Sequence, residues 1–450
     1  MGTGMTARMN VLFGCLVWAL ASAPAVVHAQ ERLLLSQAVA AVLAASPDVA
    51  AARATTGEAA QQVPQAQAGF LPRLDFTQSW QRGNQPVFVF GSLLAQRQFA
   101  EADFALRQLN TPEPLTNSRS ALSVEQVVFD GGRTRAAVRT ASLAAASATA
   151  AERQVRSDLG LAATRAYGQV LRAAAGRRAA ESAVAEVEED VRIAEARRDA
   201  GTGTEADVLS MRVHLAEMRM RAIDAAGGER IARGDLNRLM NTPLDREWML
   251  DEPAAAAPEP SDADILVERA LRLRPEIEQA ALRRDLSRAM QQSARSALLP
   301  QVVVQGGYEW NDGQRAGPAG SWIAGANLRM NLFSGGATVA RVRQASFALR
   351  RSEAEQARAE SAVRLEVLTA VEQLNAARAR QEVGRAAVAQ ARESQRMIRD
   401  RYEAGIAPAA DVIRAATAVL DAEAQRIGAL VDLIVGEAAL RRAAGQEVHP

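Results

Sequence analysis

The chain has 450 residues, of which 53 are lysine or arginine and 52 are acidic, so its formal net charge is +1. Hydrophobic residues make up 48% of it but aromatic residues only 4%, a mixture typical of long helices that pack closely. This balanced charge gives no indication of a nucleic-acid partner. The chain contains no lysine, which excludes a P-loop lysine, a Schiff-base lysine and an S-x-x-K nucleophile.

The N-terminus is predicted to be a cleaved secretory signal peptide over residues 1–29. An apolar run over about 11–23 follows Arg8, and a cleavage point lies after Ala29. Cys15 could instead carry a lipid, although the apolar run before it is short for such a signal. No later segment approaches the roughly 18 apolar residues of a membrane-spanning helix, so a membrane crossing would have to use strands.

Two halves of the chain repeat one pattern. Pro47 and Pro275 lie in matching segments at an offset of 228 residues, whereas the Gly131-Gly132 and Gly335-Gly336 pairs match at an offset of 204. The first half therefore carries 24 additional residues between these motifs. The predicted divisions are a first repeat over 30–242, a linker over 243–262 and a second repeat over 263–450.

Each repeat is predicted to contain one very long helix beside shorter ones. The stretches 133–200 and 337–404 contain no proline and correspond to about 100 Å of helix each at 1.5 Å per residue. Tip turns over 201–206 and 405–410 separate them from predicted return helices. An extended coiled coil explains the helices when they are considered alone. The clearest apolar stripe consists of Val363, Val367, Val371 and Leu374.

Four segments alternate apolar and polar residues as strands do, over 72–82, about 119–129, 301–310 and 321–332, in hairpins over about 72–129 and 300–333. For a single hairpin, a soluble sheet with one solvated face would be the simpler interpretation. Strands of about 10 residues with one apolar face and aromatic ends are also typical of transmembrane β-barrels. The predicted membrane-interface aromatic residues are Phe76, Trp80, Tyr308, Trp310 and Trp322.

The number of strands decides between these interpretations. In hydrocarbon, the open edges of a four-stranded sheet would leave backbone groups without partners, and at least eight strands are needed to close a small barrel. Several copies must then share one barrel. Two copies would give eight strands around a filled interior, whereas three would give twelve strands and room for a lumen.

The paired hairpins and paired turns resemble the TolC-like outer-membrane efflux proteins over essentially the whole mature chain. The resemblance is carried by Phe129-Asp130-Gly131-Gly132 with Phe333-Ser334-Gly335-Gly336, and by the turns around Gly201 and Gly405. It implies a mainly α fold with membrane β structure. In that fold, a long antiparallel α-helical barrel continues into a 12-stranded transmembrane β-barrel built by a trimer, with a mixed α/β belt around the tunnel.

The resemblance also implies a function and partners. A TolC-like chain would be the passive outer-membrane exit channel of a tripartite efflux or type I secretion system, with a periplasmic helical extension. Its partners would be outer-membrane lipid, a periplasmic adaptor and, through the adaptor, an inner-membrane pump. No catalytic residue, cofactor or metal is expected. Drug, metal and protein substrates all remain open, and a periplasmic coiled-coil adaptor without a pore is the alternative from another class.

In this family the tip turns form a periplasmic gate that meets the adaptor. Gly201 and Gly405 would lie in those turns, and glycine also ends helices readily with a positive φ. Asp207 and Asp411 lie near the starts of the return helices. Helix capping and gate or adaptor contact explain these two aspartates equally well, and the two roles are compatible.

Tyr402 occupies a position where the family often has an aromatic or polar gate residue. Ala407 stands where an arginine can occur, and Arg414 where an acidic residue can occur. These departures argue against a closed state held by an Arg–Asp pair at those positions.

The additional residues of the first repeat fall in the loop of the first hairpin, over about 83–118. The loop is rich in aromatic residues, namely Phe88, Phe90, Phe99 and Phe104. A plug at the barrel mouth and a loop packed only on itself are both compatible with this composition.

Overall fold

The computed structural model describes residues 31–253, 262–313 and 316–448. The predicted signal peptide and part of the predicted linker lie outside these described residues. The helices are α1 (Leu35–Ala45), α2 (Pro47–Gln67), α3 (Pro86–Ala95), α4 (Leu106–Asn110), α5 (Arg133–Asp199), α6 (Glu205–Leu239), α7 (Ala263–Leu273), α8 (Pro275–Ser296), α9 (Ala337–Glu403) and α10 (Ala409–Ala443). The strands are β1 (Glu31–Leu33), β2 (Arg73–Gly83), β3 (Leu115–Phe129), β4 (Trp248–Leu250), β5 (Gln301–Gly313) and β6 (Ala316–Arg329).

Two very long helices form the frame of the molecule. Helices α5 and α9 each have 67 residues, which corresponds to roughly 100 Å. Helix α6 returns along α5 and α10 along α9, while α2 and α8 both pack against α5. The Val363, Val367, Val371 and Leu374 stripe of α9 is buried. Among the described helices, none alone has the length and apolar character to cross a membrane, and only the bent pair α1–α2 meets both criteria together.

The largest core cluster lies where α1 packs against α5, with the 31–33 and 248–250 strands at its edge. Val39 and Val42 of α1 are fully buried there, as is the ring of Tyr167 from α5. Strands β1 and β4 pair in parallel, which the sequence pattern did not predict because each has only three residues. The Tyr167 hydroxyl lies 2.8 Å from the carbonyl oxygens of both Leu33 and Asp251, so it joins the two ends of this pair to the long helix.

The four longer strands form one antiparallel sheet in the order β2-β3-β5-β6. One cross-strand row runs through Phe76, Leu122, Tyr308 and Trp322. Strands β2 and β6 are the two edges, and neither edge has a second partner within the described chain. Because β2 and β6 are not paired with each other, the sheet of one chain is open at both sides.

The strand bounds differ from those expected in two places. The sequence pattern predicts the second strand of the sheet over about 119–129 and the fourth over 321–332. The structure begins β3 at Leu115, and it places β6 at Ala316–Arg329. Strand β3 lacks a regular apolar alternation at its start because Ser118 and Ser120, which share the face of Leu122, are polar and hydrogen-bond to Gln78 of β2. The preceding loop contains α3, α4 and a 3₁₀ turn at Glu101–Phe104.

Replacing Tyr167 by phenylalanine is expected to lower the stability of the helical body by about 1–3 kcal/mol, because two buried carbonyl groups lose their shared donor. Thermal unfolding followed by far-ultraviolet circular dichroism measures the effect. Tyr308→Phe is the matched control, since that ring lies on an exposed sheet face. Equal unfolding midpoints for both variants would show that the hydroxyl does not stabilise the junction.

Candidate gate at the helical tip

Both tip turns have the same backbone conformation. Gly201 follows α5 with φ +73°, and Gly405 follows α9 with φ +79°, the left-handed conformation that glycine adopts without strain. After α5, the Gly201 amide donates to the Arg198 carbonyl and the Thr202 amide to the Arg197 carbonyl, both at 2.9 Å. The turn after α9 repeats this pattern, in which the last carbonyls of a helix accept from the two amides beyond it.

The two return helices begin differently. Thr204 and Asp207 form a capping box at the start of α6, with the Asp207 amide 3.1 Å from the Thr204 hydroxyl and the Thr204 amide 3.2 Å from the Asp207 carboxylate. Helix α10 begins after Pro408, whose side chain caps nothing. Asp411 is paired with Arg414 of the same helix, and the Arg414 side chain is 76% exposed. Asp207 thus has the capping role, while Asp411 and Arg414 face solvent.

Tyr402 is buried in a core that belongs to both turns. Only 3% of it is exposed, and the cluster around it includes Val208 and Met211 of α6 and Val412 of α10. Burial raises the pKa of the Tyr402 phenol above its usual range, so the ring stays neutral. Ala407 packs at the edge of the same cluster. The ends of all four long helices are therefore held against one aromatic ring.

Arg197, at the end of α5, connects the first tip turn to the second tip turn at the end of α9. Its guanidinium lies 4.6 Å from the centre of the Tyr402 ring and also donates to the Tyr402 carbonyl oxygen. A further nitrogen of Arg197 lies 3.2 Å from the carbonyl oxygen of Thr202 in its own turn. A cation above an aromatic face is stabilised by the ring quadrupole by about 0.5–2 kcal/mol. Sequence reasoning missed this residue, because a basic side chain in the last turn of a helix is normally explained by the helix dipole.

This arrangement brings together four of the residues predicted for the tip. Tyr402 and Gly405 lie directly beside Arg197, and a side chain at Gly405 would begin 3.5 Å from its guanidinium. Asp207 acts electrostatically on the Tyr402 phenol from the start of α6. Gly201 lies in the first tip turn, which follows Arg197 at the end of α5. Asp411 and Arg414 are engaged with each other on an exposed face of α10.

A second polar contact between the two helical pairs lies further along the helices. Asp190 of α5 is 2% exposed, and its carboxylate oxygens lie 3.1 and 3.2 Å from a guanidinium nitrogen of Arg399 on α9. Burial raises the pKa of Asp190, and Arg399 offsets only part of this rise. His214 of α6 is also buried, and within the described part of the chain neither ring nitrogen makes a hydrogen bond. The Glu217 carboxylate lies 3.6 Å from Nδ1 of His214.

The predicted interface aromatic residues all lie on one face of the sheet. Phe76, Tyr308 and Trp322 share one cross-strand row, and Trp80 and Trp310 lie in rows nearer the loop end of the same face. Their exposed fractions range from 37% for Trp310 to 76% for Trp322. A continuous apolar face of this size is unusual on a surface in water.

Because its native pKa is raised, Asp190 is expected to make folding less favourable as pH rises. The native state binds a proton that the unfolded chain has released, so this group contributes stability below its ordinary pKa of 3.8 and loses that contribution as pH rises through the raised value. In Asp190→Asn this loss is absent. The unfolding midpoint of the wild type, taken relative to the variant, should therefore fall as pH rises above the ordinary pKa of 3.8.

Glu189→Gln is the control for this experiment. Glu189 is exposed, and the hydrogen bond from Arg192 lowers the pKa of its carboxylate. The wild type should therefore gain stability relative to this variant as pH rises, which is the opposite sign. A pH-independent difference between the wild type and Asp190→Asn would contradict the assignment.

Comparisons with known proteins agree with this architecture. A sequence profile described as outer membrane efflux protein matches residues 38–242 and 266–446. Protein CyaE of Bordetella pertussis is 29% identical over 340 residues, which cover 73% of this chain and 71% of that protein. The profile match spans both tip turns and both hairpins.

Solved structures share the fold. The crystal structure of the Campylobacter jejuni CmeC outer membrane channel superimposes with a TM-score of 0.80 at 16% identity, covering 91% of this chain and 85% of CmeC. The outer membrane protein VceC of Vibrio cholerae gives a TM-score of 0.77 at 19% identity, covering 92% and 96%. The predicted fold class, a mainly helical chain with a small β domain of the TolC type, is confirmed. The chain belongs to the outer membrane efflux protein family and is an outer-membrane exit channel.

Proposed function

We propose that three copies of this chain form one conduit through the outer membrane. The observation that supports this is the four-stranded sheet with two open edges and one exposed apolar face. Unpaired backbone groups at such edges would cost several kcal/mol each in lipid, so neighbouring copies must supply the missing partners. Three copies give twelve strands, enough to enclose a water-filled lumen lined by the polar face.

In the proposed trimer the long helices extend the lumen away from the membrane. Helices α5 and α9 run roughly 100 Å, so the conduit would reach deep into the periplasm. Transport is passive in this mechanism, because the chain offers a path and the energy comes from a partner. No catalytic step or cofactor is needed, and we propose that the protein is not an enzyme.

The proposed gate is a latch formed by Arg197 and Tyr402. It joins the end of α5 to the end of α9, and so it holds the α5–α6 pair against the α9–α10 pair. An arginine from the first turn thus provides the cation that Ala407 cannot provide in the second. Opening would require the guanidinium to leave both the ring and the carbonyl oxygen, after which the two helical pairs can separate at the tip.

The proposed partners are a periplasmic adaptor at this tip and, through it, an inner-membrane pump. Asp411 and Arg414 are suited to such a contact because they are exposed on α10, beside the second turn. A solvent-exposed ion pair contributes only about 0–1 kcal/mol to stability, so a partner can take over either charge at little cost.

In the alternative, an adaptor without a pore, the exposed apolar face of the sheet would lie in water and have no function. Leu74, Phe76 and Trp80 along β2 are each more than 60% exposed, and Trp322 on the opposite edge strand is 76% exposed. In water these side chains would form a large apolar surface prone to association. In a membrane they face lipid, which favours the channel.

The orientation of the sheet can be tested with two neighbouring residues of β3. Val124 lies on the apolar face in register with Leu74, and Ser123 lies on the polar face in register with Asp75. An arginine facing lipid near the middle of the membrane costs about 2–4 kcal/mol. Val124→Arg is therefore expected to reduce the amount of assembled protein in outer-membrane fractions strongly, whereas Ser123→Arg should reduce it little.

Assembly is measured as the heat-sensitive trimer band on gels of unheated outer membranes, and the mass of the purified wild type by light scattering. A mass near three chains and a selective effect of Val124→Arg support the proposal. Equal effects of both substitutions, or a mass of one chain, would overturn it.

The latch can be tested by single-channel recording. Arg197→Ala removes the cation–π contact and the bond to the Tyr402 carbonyl, and its conductance at low voltage is expected to rise at least about tenfold, which corresponds to about 1.4 kcal/mol. Arg192→Ala is the matched control, because Arg192 pairs only with Glu189 of the same helix in the contacts described. Its conductance should match the wild type.

A third variant separates this latch from one that uses the tyrosine hydroxyl. Tyr402→Phe keeps the aromatic face and the backbone carbonyl, so it is expected to remain closed. An open Tyr402→Phe channel, or a closed Arg197→Ala channel in intact trimers, would contradict the proposed latch.

A further inference from the structure

The segment between β2 and β3, residues 84–114, folds back over the polar face of the sheet. Three residues of that face are buried beneath it: Asn311 is 1% exposed, Asn117 7% and Ala319 9%. On the opposite face at the same end of the sheet, Trp80 is 74% exposed. Helix α3 contacts both β3 and β6, so it crosses over the intervening strand β5.

One glutamine fastens the segment to the sheet. Gln96, directly after α3, is 2% exposed, and its amide nitrogen lies 2.9 Å from Asn117 Oδ1 and 3.0 Å from the Thr116 carbonyl oxygen. The Asn117 amide then donates to Asn311 Oδ1 at 3.0 Å, and Asn311 donates to Glu309 Oε1 at 3.1 Å. A continuous row of side-chain hydrogen bonds thus runs from α3 across two strands.

Side chains of the segment also closely approach the end of β5 and strand β6. A Cβ atom at Gly313 would lie only 2.1 Å from Gln96 Oε1, so any larger residue there would displace the glutamine. Arg97 adopts a left-handed conformation with φ +55° and donates to the Gly320 carbonyl oxygen at 2.8 Å. A non-glycine residue in this conformation needs such surrounding contacts to hold it.

The segment has an apolar core of its own. Phe90, Phe99 and Phe104 form a chain of edge-to-face rings with centroids 4.8 and 5.0 Å apart. Val89 of α3 is 6% exposed. These contacts keep residues 86–104 together as one body, so the segment can move as a unit when its attachment to the sheet is broken.

We infer that residues 84–114 form a lid inside the outer mouth of the channel, held closed by the Gln96–Asn117–Asn311 hydrogen bonds. This inference rests on the proposed function, because the polar face is the lumen wall only if the apolar face meets lipid. The lid lies at the end of the sheet opposite the long helices, since β2 leaves the helical body at Arg73 and reaches the segment at Gly83. Three lids in a trimer would narrow the exit and exclude bulky external solutes.

The attachment of the segment to the sheet leaves two buried polar atoms unpaired in the described chain, and this favours opening of the lid. Gln96 Oε1 and Gln98 Nε2 are both buried, yet neither has a hydrogen-bond partner within the described residues. An unsatisfied buried polar atom raises the free energy of the closed state, so opening recovers part of the energy of the bonds that it breaks.

The test reads access to the lumen from outside and does not depend on the periplasmic gate. Thr77 lies on the polar face of β2, exposed, four residues before the partner of Asn117 and therefore about 13 Å below the lid. Thr77→Cys is made in the full chain, alone and combined with Gln96→Ala or Gln108→Ala. Intact cells are treated with a bulky membrane-impermeant maleimide, and the parent chain without a new cysteine gives the background.

Gln96→Ala is expected to increase the labelling rate of Thr77→Cys about tenfold, the population shift that follows from losing one or two hydrogen bonds. Gln108→Ala changes an exposed glutamine of the same segment and should leave the rate unchanged. The trimer band must be retained in each variant; if Gln96→Ala does not assemble, Gln96→Glu, which repels Asn117 Oδ1 without shortening the side chain, replaces it.

Equal labelling rates with and without Gln96→Ala would overturn the lid. No labelling in any variant would overturn it as well, because the polar face would then be inaccessible for another reason. The conductance of the wild-type protein distinguishes this outcome from failure of the channel proposal. A conducting channel with an unreactive Thr77→Cys retains the proposed function and removes only the lid.

Discussion

The edges of the four-stranded sheet are the constraint on which the rest of the structure depends. Strands β2 and β6 each present a row of backbone donors and acceptors that the described chain does not satisfy. In water, solvent would satisfy them; next to an exposed apolar face in lipid, only another strand can. Oligomerisation is thus a condition for the membrane-inserted state. In the proposed assembly the position of the long helices follows, because a sheet shared among copies would fix the helices of every copy around one axis.

Small residues at the helix crossings allow the long helices to pack closely. A side chain at Gly168 of α5 would begin 2.7 Å from Val431 of α10, and one at Gly384 of α9 would begin 3.3 Å from the Arg426 backbone on α10. The small residue at Gly168 lets the α5–α6 pair lie directly against the α9–α10 pair, and the one at Gly384 lets α9 and α10 approach each other within the second pair. This closeness also explains why one arginine can reach from the first tip turn to the second.

Periodicity and repetition allowed much of the fold to be predicted from the sequence. The length and proline-free character of α5 and α9, and the alternation in β2 and β5, are properties that neighbouring residues carry themselves. The start of β3 was misplaced because Ser118 and Ser120 stand on its apolar face, where hydrogen bonds to Gln78 of the neighbouring strand replace apolar packing. The β1–β4 pair was missed for the same reason, since a three-residue strand is defined only by its distant partner.

In the candidate site, too, features set by neighbouring residues could be predicted, whereas features set by distant residues could not. The glycines of the tip turns could be found from the sequence because a left-handed residue after a helix is a local requirement. Arg197 and Asp190 could not, because nothing next to them in sequence distinguishes them from the many exposed charges of α5. Their importance comes from residues about 200 positions away, namely Tyr402 and Arg399.

The two ends of the proposed conduit are closed by different chemistry, and this difference has a physical basis. The tip latch uses a full positive charge against a ring and a carbonyl, so charged groups of a docking partner can compete with it directly. The Gln96–Asn117–Asn311 bonds proposed to hold the lid join neutral amides, which attract no ions from the medium and respond little to ionic strength. A closure facing the exterior gains from that insensitivity, because external salt varies widely. A closure facing the adaptor gains from the opposite property, since an arriving set of charges can then act as the signal to open.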